Sequence, residues 1–264
     1  MDKIVSLQNS QVKQIVRLRE RRERDESDLF LIEGYRELKR AVDAGRSIQS
    51  IFYCPDFFLG ENETELLKKS SAEPILCSKE VFAKISYRDR PDGLLGVARQ
   101  THLRLMDLKL SANPFLVIAE SIEKPGNLGT ILRSCDAAGV DALIVCDPTT
   151  DIHNPNVVRS SVGTLFTLPV LEADGEETLN FLHQHKIRIA AATPHAKESF
   201  TAADLTGPIA IAVGTEQYGL SENWMKSADC QVRIPMRGIA DSLNVASATT
   251  LFLYEVLRQR DLLR

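Results

Sequence analysis

The sequence predicts an α/β protein of two domains, the second built on a parallel sheet. Three observations carry this. The chain has 264 residues, more than one domain usually holds, so two domains are expected. Apolar strand-like runs alternate with helix-like runs along its length, the pattern of a parallel sheet covered on both faces. Three strand-like runs of the second half, 115–121, 207–214 and 231–236, each lead into a polar loop containing glycine. Open parallel sheets bind ligands beyond the carboxyl ends of their strands, where such loops lie.

Composition fits an ordinary globular protein, with 44% apolar and 26% charged residues. No apolar run reaches the roughly 18 residues that cross a bilayer. The start, "MDKIVSLQNSQVKQIVRLRE", lacks the apolar block of a secretion signal, so the cytoplasm is the expected location. Cys54, Cys77, Cys135, Cys146 and Cys230 form no C-x-x-C pair, and each sits in or beside an apolar stretch. Buried free thiols are expected. His183 and His185 have the wrong spacing for a helical zinc pair, and no metal is assigned.

The net charge is −4 but unevenly spread: residues 1–110 carry 20 basic against 18 acidic side chains, residues 111–264 carry 12 against 18. The basic excess is densest in "KQIVRLRERRER", residues 13–24. A charge run is usually a solvated helix face. Six basic residues within about three turns also suit a row of phosphates. Lys13, Arg17 and Arg21 of this run, with Arg36 of the next helix, are the candidate nucleic-acid contacts.

Taken in order, residues 10–24 read as one basic amphipathic helix. A strand at Leu29–Ile32 follows, then a helix from about Tyr35 to Ala44 with Gly45 at its carboxyl cap. "SIQSIFYC" reads as a strand, "TELLKKS" as a helix, "PILCS" as a strand, "KEVFAKIS" as a helix and "GLLGVARQ" as a strand. Residues 1–100 form this first α/β unit. Residues 101–113 have weak periodicity, end in Asn-Pro, and read as a linker.

Alternation restarts in the second domain, 114–264. "FLVIAES" is a strand, "NLGTILRSCDAAGV" a helix, "DALIVCD" a strand, and "NPNVVRSSVGTLFTLPVLEA" a helix running into a strand. "ETLNFLHQHK" is a helix; "IRIAAATP", "GPIAIAVG" and "QVRIPM" are strands. An apolar helix, "LNVASATTLFLYEVLRQR", closes the chain.

Two loops resemble simple turns when taken singly. In "PGNLGT", Asn127 suits a helix cap; in "GTEQYG", Glu216 suits an exposed turn. No G-x-G-x-x-G and no G-x-x-x-x-G-K-[ST] is present, which argues against an ordinary dinucleotide fold and against a P-loop. At the last join, "ADSLN", Asp241 or Ser242 can cap the closing helix. Neither accounts for Asn244, a mediocre helix former, nor for the run of small residues 246–250.

With order and spacing included, "NLGTILR", "GTEQYGL" and "IPMRGIADSLNVASATTLFLYE" resemble the three motifs of the SpoU (TrmH-type) branch of the SPOUT RNA 2′-O-ribose methyltransferases. The resemblance covers about residues 113–260. Residues 1–100 more loosely resemble the L30e-like substrate-binding domain of members that act on ribosomal RNA. The resemblance implies a SPOUT domain with a deep trefoil knot, a site for S-adenosylmethionine in the knot loops, and a homodimer through the C-terminal domain.

It also implies roles. Thr193, Gly214, Ile234, Met236, Leu243 and Ala248 would contact the cofactor, with Ile234, Met236 and Leu243 walling the adenine. Asn127, Arg133, Glu216, Ser242 and Asn244 would form the catalytic set. The family reading has Arg133 activate the ribose hydroxyl. An arginine stays protonated at physiological pH, so an anchoring and charge-stabilising role fits its chemistry better. Glu216 would orient Arg133 or the third-motif loop. The implied substrate is structured RNA, 23S rRNA first. A tRNA substrate, or a non-catalytic RNA-binding or assembly factor, is the alternative.

Overall fold

The computed structural model describes residues 3–261, and they form two compact units. The first holds α1 (Ser10–Arg17), α2 (Arg21–Ser27), β1 (Leu29–Glu33), α3 (Tyr35–Asp43), β2 (Ile48–Tyr53), α4 (Asn62–Lys69), β3 (Glu73–Leu76), α5 (Lys79–Ile85) and β4 (Leu94–Arg99). Its four-stranded sheet has the order β1-β4-β2-β3. It is mixed rather than parallel: β4 runs antiparallel to both β1 and β2, and only β2 and β3 are parallel. Val12, Ile15 and Leu18 of the first helix close one side of its core, over Leu29, Leu31, Phe52, Val81 and Phe82.

The basic stretch is two helices, not one. α1 stops at Leu18, and Arg19 and Glu20 turn the chain through bonds to the carbonyls of Val16 and Arg17. Two of the basic residues hold this break together. Arg24 is buried, and its Nη1 donates to the carbonyls of Leu18 (3.0 Å) and Arg19 (2.7 Å). Arg19 donates to the carbonyls of Lys84, Ile85 and Ser86 at the carboxyl end of α5. Part of the charge run is therefore internal capping, which satisfies carbonyls that a helix end leaves open.

The second unit begins at His102. The expected linker is not a free tether: Leu103, Leu105, Leu108 and Leu110 pack onto this unit's core. Then come β5 (Phe115–Glu120), α6 (Pro125–Ala137) and β6 (Ala142–Cys146). α7 (Pro155–Ser160) follows, within the segment His153–Thr167, which belongs to the first unit although the sequence placed it in the second domain. The segment packs there: the ring of Phe30 lies 4.7 Å from that of His153 and 6.2 Å from that of Phe166, and Arg40 donates to the carbonyl of Val162 at 2.7 Å.

Back in the second unit, the chain forms β7 (Val170–Ala173), α8 (Gly175–Gln184), β8 (Arg188–Ala192), β9 (Glu198–Ser199), β10 (Ile209–Val213), α9 (Glu222–Ser227), β11 (Cys230–Arg233) and α10 (Val245–Asp261). The sheet has seven strands, β7-β6-β5-β10-β8-β11-β9, and every pairing is parallel. β5, β6 and β10 are buried at every position, as expected for strands covered on both faces.

Strand order reverses between β5 and β10: the chain builds outward from β5 through β6 to β7, while β8 to β11 lie on its other side with β10 next to β5. Open parallel sheets form their ligand crevice at such a switch point, beyond the carboxyl ends. The four cysteines at 54, 77, 135 and 146 are buried and free, and burial pushes the Cys146 thiol up to about 12.

Candidate active site

Three of the expected site residues meet at the switch point. Glu216 follows β10, Asn127 lies in the first turn of α6 after β5, and Asn244 precedes α10. Asn127 Nδ2 donates to Glu216 Oε1 at 2.5 Å, and Asn244 Nδ2 donates to the same oxygen at 2.9 Å and to Asn127 Oδ1 at 3.2 Å. Lys124, at the N-cap position of α6, donates to the second oxygen, Glu216 Oε2. The sequence reading did not single out Lys124. Its only signal was a cation before a proline at a strand end.

Glu216 is thus a hub for three segments far apart in sequence. The Lys124 ammonium first, and the Asn127 amide with it, hold its carboxyl below the ordinary carboxylate range. The loop that presents it is tight. Thr215 and Gly219 exchange backbone hydrogen bonds, both 3.0 Å, and the Tyr218 amide donates to Thr215 Oγ1. A Cβ at Gly214 would lie 2.2 Å from the Gly219 carbonyl oxygen. Glycine is required at 214 because the loop folds back on itself.

The cap of α10 differs from the expectation. Asn244 itself is the cap: its Oδ1 accepts from the amides of Ala246 (3.0 Å) and Ser247 (3.4 Å). Asp241 and Ser242 are exposed and make no hydrogen bond or ion pair among the described residues. One side chain therefore serves both ends, with its oxygen in the helix and its amide on the hub. Asn127, in turn, is not a cap but a residue of the first turn of α6, which Pro125 opens.

Arg133 lies elsewhere on α6. Six residues from Asn127, it projects about 120° round the helix at ~100° per residue. It is exposed and has no hydrogen bond or ion pair among the described residues. Of the two partners expected for Glu216, the structure supplies the third-motif residue Asn244 and not Arg133.

The expected cofactor residues follow three adjacent strands of the sheet. Thr193 ends β8, Gly214 ends β10, and Ile234 and Met236 follow β11. In the sheet these strands are neighbours, β10-β8-β11. Ile234 and Met236 are half-buried and Leu243 is 40% exposed, so none of the three is committed to the core. Ala248 is half-buried in the first turns of α10, with its amide on the Asn244 carbonyl. These residues fit a cofactor held against backbone at three strand ends and bordered by apolar side chains.

The small residues of α10 pack within the chain. Ser134 of α6 and Thr250 of α10 share a hydrogen bond of 2.7 Å, and Ala246 and Thr249 are buried. From Asn127–Asn244 to Ser134–Thr250 the contacts advance in the same direction, so the two helices run side by side and both amino-terminal turns face the hub. Arg260 is a structural residue: it donates to the carbonyls of Asn113, Pro114 and Gly207 and sits over the Phe115 ring.

In the first unit, Lys13, Arg17 and Arg36 are exposed and make no hydrogen bond or ion pair among the described residues. Lys13 and Arg17 line one groove with Ser10, Gln14, Leu18, Glu23 and Ser27. Arg21 is paired with Asp25 at 3.5 Å.

Residues 114–254 match the model of the SpoU rRNA Methylase family, more than half of the chain. The chain belongs to the SpoU rRNA methylase family. It is an RNA methyltransferase that depends on S-adenosylmethionine. Residues 9–96 of this SpoU methylase match the MRM3-like substrate binding domain. A curated relative from Streptomyces viridochromogenes, 23S rRNA (uridine(2479)-2′-O)-methyltransferase, is 32% identical, covering 91% of this chain and 86% of its own. A crystal structure described as an RNA 2′-O ribose methyltransferase is 40% identical, with a TM-score of 0.87, and the match covers 98% and 99% of the two chains. The SpoU methyltransferase AviRb from Streptomyces viridochromogenes, solved with AdoMet, is 30% identical with a TM-score of 0.89, over 96% and 99%.

Proposed function

We propose that this SpoU methylase methylates a ribose 2′-hydroxyl of 23S rRNA, with the first unit holding RNA and the second performing the transfer. The observation that carries the reading is the hub at the switch point, where Glu216 joins Asn127 and Asn244. The match of residues 9–96 to a substrate-binding domain favours ribosomal RNA, as does the Streptomyces relative's named substrate. We assign residues 1–101 with 153–167 to substrate binding.

S-adenosylmethionine, when bound, supplies an activated methyl group. Thr193, Gly214, Ile234, Met236, Leu243 and Ala248 would hold it at the three strand ends. The hub then orients the acceptor. Both N–H groups of Asn244 and one of Asn127 are used within it. One N–H of Asn127 remains for a ribose or phosphate oxygen. Arg133, unpaired and always charged, anchors a phosphate and stabilises the alkoxide that develops on the 2′-oxygen. The proton leaves late, to water. Ser242 lies on the exposed loop next to Asn244, where a bound ribose can order it.

We also propose a homodimer through this unit. α10 presents an exposed stripe of Leu251 (42%) and Tyr254 (52%), and Ile239 in the preceding loop is fully exposed. Apolar surface of this kind marks a contact face. A trefoil knot belongs to the same reading, as the family resemblance implies.

The test is genetic and chemical. Nucleosides of 23S rRNA are compared by mass spectrometry from cells with and without the protein. Loss of one 2′-O-methyl nucleoside, restored by the wild-type chain and not by Asn127→Ala, is expected. An unchanged 23S rRNA would overturn the substrate assignment.

A further inference from the structure

Lys124 has a place in this site that the three motifs do not explain. It precedes Pro125, which confines its backbone to the extended region (φ −90°, ψ 118°) and starts α6. Its carbonyl accepts from the amides of Asn127 (2.9 Å) and Leu128 (3.2 Å). The root of the side chain is therefore held where β5 gives way to α6. From there its ammonium crosses the switch point to the loop after β10 and takes one oxygen of Glu216.

The division of labour on Glu216 is the telling feature. Oε2 belongs to Lys124, and Oε1 accepts from both Asn127 and Asn244. A carboxylate held only by the two amides is free to turn about its last torsion, which is broad. With Oε2 anchored, Oε1 has one position, and that position sets both asparagines. Lys124 does not take the substrate's proton, because Glu216 raises its affinity for its own.

We propose that Lys124 is a positioning residue for methyl transfer: it holds Glu216 in the orientation that aligns Asn127 and Asn244 toward the ribose. The inference rests on the methyltransferase reading above. The lysine side chain is 67% exposed, against 29% for the glutamate, so the pair adds little to stability. Lys124→Met and Lys124→Arg should both fold.

Glu216 faces Lys124 and, through it, Glu123 on the α6 side; α10 presents the uncharged Asn244. Lys124 lowers the carboxyl's pKa. Its removal lets Glu216 protonate at higher pH, which breaks the clamp from below.

The experiment measures single-turnover methylation of 23S rRNA by the full chain across pH, with wild type, Lys124→Met and Lys124→Arg. Wild-type transfer establishes the underlying reaction; its absence defeats that reading rather than this inference. We expect Lys124→Met to slow transfer at least tenfold at neutral pH with the half-saturating concentration of S-adenosylmethionine unchanged. Its acid limb should move to higher pH, because the ammonium that lowers the Glu216 carboxyl is gone. Lys124→Arg should restore both to near wild type. An unchanged rate and acid limb in Lys124→Met would overturn the proposal. So would a rate loss with an unmoved acid limb, or a loss that arginine fails to restore.

Discussion

Asn244 divides its side chain between stability and chemistry, and substitution can separate the two. Serine caps a helix as asparagine does but carries no amide N–H for the hub. Asn244→Ser should keep the cap and a thermal midpoint near wild type while kcat falls by roughly tenfold or more, because Asn127 and Glu216 lose the amide that aligns them. Asn244→Ala should lose the cap as well, at a cost of about 1 kcal/mol. Calorimetry beside a turnover assay reads both. Arg133→Lys should leave unfolding within about 0.5 kcal/mol, since the side chain is exposed and unpaired, yet slow transfer more than tenfold; a near-normal rate would remove the anchor role. Asn127, Glu216 and Asn244 were legible through the resemblance to three ordered motifs; taken singly, the loops of the first two read as simple turns. The cap was misread because Asp241, Ser242 and Asn244 are equally good cap formers within four positions. Which one starts the helix depends on the hub, a tertiary contact that no local pattern records.

At the scale of elements, the buried strands were plain in the sequence: β5, β6 and β10 are continuous apolar runs, and their order placed three loops at one edge. β9 escaped because its two residues carry no period. The break between α1 and α2 escaped because Val12, Ile15 and Leu18 keep helical spacing up to the turn. What ends the helix is a set of side-chain bonds from Arg19 and Arg24. α7 reads as a helix in either domain; its apolar residues do not say which core receives them. The loop after β10 yields the sharpest prediction at this scale. Gly214→Ala puts a methyl group against the Gly219 carbonyl. It should destabilise the protein by about 1–3 kcal/mol, the usual cost of overpacking. It should also weaken S-adenosylmethionine binding in titration calorimetry, because the loop must open to admit the methyl group.

For the molecule as a whole, the division of labour between the units makes two separable predictions. RNA affinity should rest on the free cations of the first unit. The triple variant Lys13→Ala, Arg17→Ala, Arg36→Ala should weaken RNA binding across sequences. It should flatten the plot of log affinity against log salt by about 0.7–0.9 per phosphate contact removed. Arg21→Ala, already paired with Asp25, should do less. Chemistry should rest on the second unit. The most direct measurement is methyl transfer itself. The protein is incubated with methyl-labelled S-adenosylmethionine and, separately, unmodified 23S rRNA, 16S rRNA and bulk tRNA. Each RNA is then digested and the labelled nucleoside identified. The account predicts label in 23S rRNA alone, on a single nucleoside methylated at the 2′-oxygen. Label on a base, or in no RNA from protein that still binds the cofactor, would contradict it.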